Sequence, residues 1–299
     1  MTFKRDIEFW HVEKGHENLE KILHTFYDDR IANPSDKTKV LIPDGDNEMF
    51  YLHKFTPNSN YVDGMIIKQR MRDVPKKSKW SSNTLEDFVL ESDTGFAEST
   101  YFVYIPSIKV LALMPGRYGV KIGWFSVYIK KTVGVKNFKA SIILTKDAIE
   151  RLRNLGIISA VSFAVKVANG YPKNSPMIKT RSVMDMMKEN GKYITIRHEI
   201  RSPSKRGGGL KVHKVKAIVN QILGNKDNTE KISLEELRIK GSEDANQQES
   251  YIDILQEKFG VSVNIENGYA LDYNECHGKV APIVLRQKST LEKLLGDVQ

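Results

Sequence analysis

The chain has 299 residues, 40% of them hydrophobic and 9% aromatic, and a formal net charge of +9. That length exceeds one small core and sets two domains as the expectation, while the apolar content argues against disorder. The lone cysteine, Cys276, excludes an intramolecular disulfide framework and any multi-cysteine zinc site. The opening MTFKRDIEFW lacks a signal peptide's apolar run and no stretch is apolar enough to span a bilayer, so a cytoplasmic location is expected.

In chain order, Ile7 to Val12 reads as a strand, and Glu17 to Asp29 as an amphipathic helix with Leu19, Ile22, Leu23 and Phe26 at helical spacing. Two β-rich runs follow, Met49–Phe55 and Met65–Met71, separated by the turn-forming PNSNYVDG. Thr100–Met114 is a hairpin, stopped by Pro115-Gly116, and Gly119–Lys131 carries the apolar face of a short helix. After Gly134 a new pattern begins. Lys139–Leu144 is a strand, Thr145 an N-cap for a helix through Leu155, and Ile157–Ala168 a second strand. A short helix around Ser182–Glu189, a strand Tyr193–Ile200, a helix Lys211–Leu223 ending at Gly224 and a strand Ile232–Ile239 complete it. Tyr251–Phe259 reads as a short helix, Val261–Ile265 as a strand and Thr290–Leu295 as a terminal helix.

The fold class expected from this order is α+β. Residues 1–134 form a mixed N-terminal α+β domain, and residues 135–242 a ferredoxin-like α+β domain built as a split βαβ unit. Residues 243–299 form a C-terminal α/β tail packing on one of the two. Such a fold hosts many functions and implies none by itself.

Charge speaks more directly. From Ser99 to Lys146 there are eight Lys or Arg and no Asp or Glu, and from Ser99 to Gln221 the net charge is +18. Residues 1–98 sum to −4 and residues 222–299 to −5. A polyanion is the partner that such a middle section suggests, with a basic surface spanning both domains as its contact. The strongest local feature runs from Arg197 to Lys216, where three consecutive glycines follow Arg201, Lys205 and Arg206 and precede Lys211 and Lys214. It reads as a flexible finger touching phosphates, or as a solvated hairpin tip. It is not a Walker loop, because no Gly-Lys-Ser/Thr follows. A second patch is Lys68, Arg70, Arg72, Lys76, Lys77 and Lys79, followed by Trp80; its first three members alternate along a strand and share a face. A third contains Lys130 and Lys131, interleaved with Trp124 and Tyr128, which read as core residues.

No catalytic constellation rises above background. Glu91, Asp93 and Glu98 cluster without a nuclease-type strand pattern, and no GxSxG elbow occurs. Cys276 and His277, read as neighbours on a strand, would face opposite sides, which disfavours a thiolate–imidazole pair. No metal ligands, cofactor or catalytic residues are assigned.

The stretches Phe50-Tyr-Leu-His-Lys54 and Asp93-Thr-Gly-Phe96, the hairpin strands Tyr101–Ile105 and Val110–Met114, Pro115-Gly116 and the Gly119–Lys131 helix resemble the RexA-like phage-exclusion family. KwaB-type and related uncharacterised defence proteins look similar in plan. Leu237–Gly241 and Tyr251–Leu255 fit more loosely, and the resemblance covers residues 45–135. It implies a homodimeric, sequence-nonspecific DNA-binding protein in phage exclusion or defence, without enzymatic activity. The matching positions are fold-determining, so no binding residue transfers with them. Duplex rather than single-stranded DNA is the expected form. The alternatives are an adaptor that self-associates or docks an acidic effector protein, and an unrecognised metal-dependent nuclease.

Overall fold

A computed structural model describes residues 2–43, 48–70, 77–79, 84–86, 94–168, 193–202, 210, 232–244, 248–266 and 271–296. The chain is α+β and divides into two compact units, residues 1–140 with 260–292, and residues 141–259 with 293–299. The first unit is therefore discontinuous in sequence. Among the described residues no helix is long and apolar enough to cross a membrane.

The first unit is built on a seven-stranded sheet. Its strands are β1 (Phe3–Lys14), β2 (Glu48–Pro57), β3 (Val62–Arg70), β6 (Phe96–Ile105), β7 (Val110–Pro115) and β13 (Gly260–Ile265), in the spatial order β13-β1-β7-β6-β3-β2. A further strand, β8 (Lys139–Ile142), pairs with β1, and the division between the units falls within it. A separate two-stranded ribbon joins β4 (Lys77–Lys79) and β5 (Thr84–Glu86). The expected runs and the hairpin thus form, and each neighbouring pair in the order from β13 to β2 is antiparallel.

Alternation gives this sheet two buried faces. Val62 and Ile66 of β3, Phe102 and Tyr104 of β6 and Leu111 and Leu113 of β7 share one core with α1 (Leu19–Ala32) and α2 (Ile122–Tyr128). The α1 residues in that core are Leu19, Leu23 and Phe26, the face expected from their spacing. Trp124 stacks on Phe50 with ring centroids 4.5 Å apart, and Tyr128 is buried, so both aromatics serve the core as expected. The opposite face carries Asp63, Met65, Tyr101 and Val103, all buried. Against β3, β6 and β13 packs a helix absent from the sequence expectations, α4 (Tyr273–Arg286), which buries Cys276, Val280, Ala281 and Val284. Its Asp272 cap accepts a hydrogen bond from the Glu275 amide at 2.8 Å. α5 (Lys288–Gly296) follows and includes the terminal helix expected at Thr290–Leu295.

The second unit contains a four-stranded antiparallel sheet, β9 (Ile157–Ala168), β10 (Tyr193–Arg201), β11 (Ile232–Ser242) and β12 (Ser250–Asp253), in the order β10-β9-β11-β12. α3 (Lys146–Asn154) starts where expected, with Thr145 Oγ1 accepting from the Ala148 amide at 3.3 Å. Val161, Phe163, Leu237, Ile239 and Ile252 line the buried side of the sheet.

Two expectations are corrected here. A ferredoxin-like unit needs its first and third strands side by side and parallel. Here the first run, Lys139–Ile142, pairs with β1, and β9 lies between β10 and β11, antiparallel to both. No ferredoxin-like topology is present among the described strands. The expected helix at Tyr251–Phe259 is instead strand β12 followed by a turn. Edge pairing of Ile252 with Ile239 takes the backbone, and Asp253 Oδ1 then accepts from the Leu255 amide at 3.2 Å. The expected helices at 182–189 and 211–224 lie outside the described residues.

Candidate nucleic-acid interface

Lys68 and Arg70 share a face of β3, as their spacing requires, but neither is an open cation. The antiparallel register sets Lys68 across from Glu98, and Arg70 across from Glu48 on the other neighbouring strand. Lys68 Nζ lies 2.9 Å from Glu48 and 3.6 Å from Glu98, and Arg70 lies 2.6 Å from Glu98. Burial pushes the Glu98 carboxyl above its ordinary range, against the pull of the two cations. Lys130 and Lys131 occupy the π-helical turn Ile129–Val133 that ends α2, Lys131 being exposed. Lys77 lies in β4; Arg72, Lys76, Lys205, Arg206, Lys211 and Lys214 lie outside the described residues.

Arg201 stands on the solvent side of the four-stranded sheet, and the register shows what surrounds it. One row reads Arg201, Ala160, Lys240, Tyr251; the next reads Glu199, Ser162, Arg238, Asp253; the third reads Arg197, Ala164, Glu236. Small residues of β9 thus floor a strip between long charged side chains of β10 and β11. Arg201 pairs with Glu199 at 2.8 Å, Arg197 with Glu236 at 2.9 Å, Arg238 with Asp253 at 3.1 Å and Lys240 with Glu249 at 2.9 Å. The Arg201 and Arg197 side chains remain 71% and 69% exposed. Ion pairs this open add little net stability and weaken with salt, so these cations stay available for exchange onto another anion. Arg197 belongs to the basic stretch read in the sequence, whereas Arg238 and Lys240 join this surface only through strand register, which a one-dimensional charge count does not contain.

A second constellation was missed at the sequence level. Asp63 on β3 is fully buried. Its Oδ2 accepts from Tyr101 Oη at 2.6 Å and from Tyr273 Oη at 3.0 Å, and lies 2.9 Å from His277 Nδ1. Asn58 Nδ2 donates to Oδ1 at 3.2 Å, and the Tyr273 hydroxyl also bonds Thr56. Reading Cys276 and His277 as strand neighbours is thereby corrected. They lie on α4, where His277 follows Tyr273 by one turn and stacks beside it while Cys276 turns into the core. Burial, reinforced by Asp63, holds the Tyr101 phenol far above its usual range, and burial does the same for Tyr273. Both therefore remain donors to the carboxylate. The Cys276 thiol is pushed up to about 12 by burial and by Glu275 and Asp272, which leaves it a poor nucleophile. The cluster satisfies a buried acid and fastens α4 to the sheet. A buried Asp one residue before Gly64, followed much later by a Tyr-x-x-x-His spacing, was its only trace in the sequence.

Counting Lys and Arg against Asp and Glu, the first unit carries +2 and the second +7, which recovers the total of +9. No protein-family model matches the chain, and comparison with curated proteins gives no match.

Proposed function

We propose that this chain is a non-enzymatic, sequence-nonspecific DNA-binding protein, RexA-like in role, that acts as a homodimer in phage exclusion or defence. The observation that carries the reading is charge placement. The second unit holds +7 of the net +9, and residues 99–221 alone sum to +18. A surface that gathers cations in this way attracts a polyanion over a Debye length and releases counterions on contact. The exposed pairs of Arg197 and Arg201 support it, because phosphate oxygens can replace their carboxylate partners at small cost. Such contacts position a nucleic acid without reading its sequence.

The test is a salt-titrated binding assay on duplex DNA, single-stranded DNA and RNA. If about six to ten phosphates are neutralised, affinity falls by roughly 10³–10⁵ between about 50 and 200 mM salt. A flat response sinks the proposal. Changing Lys205, Arg206 and Lys211 together to Ala should weaken binding equally across sequences, and unchanged affinity removes those residues from the account. A salt-labile oligomer on gel filtration that ignores DNA would instead favour docking between copies of this chain.

A further inference from the structure

The turn between β7 and α2 holds an aromatic ring out into solvent on a hydrogen-bonded support. Gly116 and Val120 are buried, and between them Arg117 and Tyr118 are exposed, the tyrosine by 56%. Both ends of the turn are tied to β6. The Gly116 amide donates to Ser99 O at 2.9 Å, the Gly119 amide donates to Gly116 O at 3.1 Å, and Thr100 Oγ1 donates to Val120 O at 3.1 Å. At Gly119 a Cβ would lie 2.5 Å from Thr100 Oγ1 and 2.6 Å from Ser99 O, so only glycine lets the turn sit this close to the strand. The ring is thus presented by a braced support, and presenting it does not require a loop to be ordered.

Its surroundings are cationic. The Arg117 guanidinium carbon lies 5.2 Å from the Tyr118 ring centroid and that of Arg70 lies 5.7 Å from it. Lys121 is exposed at the start of α2. Among the described residues, the acids beside Arg70 are already engaged, Glu48 by Lys68 and the buried Glu98 by Lys68 and Arg70. The turn also lies within the stretch from Ser99 to Lys146 that contains no Asp or Glu. A solvent-exposed ring with guanidinium groups over it forms a mixed stacking platform that matches an unpaired nucleobase beside its phosphates: the base stacks on the ring, and Arg117 swings from the ring to the backbone. A duplex hides the faces of its bases, and an acidic peptide such as poly-glutamate offers charge without rings to stack.

We infer that the Tyr118 turn, with Arg117, is a contact for single-stranded nucleic acid, with Tyr118 stacking on an unpaired base. This rests on the proposed DNA-binding function and gives it a strand preference. The experiment compares the full chain with Tyr118→Ala, Tyr118→Phe and Arg117→Gln for binding to oligothymidine, to a duplex of the same length and to poly-glutamate. Each substitution is at an exposed position, and a melting curve for each checks that the fold is retained. Loss of one stacked base should lower oligothymidine affinity about 5- to 150-fold in Tyr118→Ala, with the salt slope unchanged and duplex affinity nearly so. Tyr118→Phe should bind like the parent, and Arg117→Gln should reduce the salt slope by about one unit. Equal weakening toward oligothymidine, duplex and poly-glutamate would overturn the stacking assignment, as would parental oligothymidine affinity in Tyr118→Ala. If the parent binds DNA and the Tyr118 variants match it, this inference alone fails. If the parent binds no nucleic acid at low salt, the proposed function itself fails.

Discussion

Replacing Asp63 by Ala should cost the first unit far more than the loss of one surface acid. The Tyr101 hydroxyl is fully buried and donates to that carboxylate, so removal of the acceptor leaves a buried donor without a partner. That alone is worth about 1–3 kcal/mol. Tyr273 keeps its bond to Thr56, and His277, 40% exposed, can turn to water, so their losses are smaller. The sum is about 2–4 kcal/mol, a fall in Tm of about 5–15 °C for a unit of this size. The sharper measurement is the double-mutant cycle with Tyr101→Phe, read by thermal and urea unfolding. Tyr101→Phe alone removes a hydrogen bond to a charged group and destabilises by about 1.5–3 kcal/mol. In the Asp63→Ala background the same change removes an orphaned hydroxyl, so it should be neutral or stabilising, with a coupling energy of at least about 1 kcal/mol. Additive losses, or an Asp63→Ala protein melting within about 2 °C of the parent, would falsify the account of this cluster.

Two further outcomes follow from close packing. Cys276 is 1% exposed and its thiol is held up to about 12, so at pH 8 its thiolate fraction is on the order of 10⁻⁴. A disulfide reagent should therefore label it slowly in the folded protein and rapidly in denaturant; fast stoichiometric labelling of the native chain refutes this placement. In Gly64→Ala the new methyl would lie 2.5 Å from Lys54 O and 2.7 Å from the Phe102 ring. Overpacking of that kind costs about 1–3 kcal/mol, so an unchanged melting curve would contradict the register of β3 on β2 and β6.

Local pattern carried much of the architecture. The span Ile157–Ala168 is recovered as β9, the hairpin as β6 and β7, and the Thr145 cap by its hydrogen bond, because each depends on residues near one another in sequence. What was not legible is long-range. α4 contains Gly278 and Pro282, both unfavourable inside a helix, and its packing on β3 and β6 outweighs them. The ring of donors about Asp63 gathers residues up to 214 positions away, too remote for any spacing rule. The basic residues were legible as cations but not as members of pairs. Glu48 and Glu98 meet Lys68 because they sit on the two strands that flank it, and flanking is decided by sheet order.

The pairing of β13 with β1 has a consequence for the order in which this protein can be made. Phe3 faces Ile265 across the sheet and Glu8 faces Gly260. During synthesis, residues 141–259 leave the ribosome before β1 can gain that neighbour, and Asp63 waits longer still for Tyr273 and His277. The nascent chain thus holds an unpaired strand edge and a buried-type acid short of donors until residues 260–277 are out. Premature termination before Gly260 would strand the first unit in that state, a substrate for chaperones and proteases even if the inserted unit had already folded.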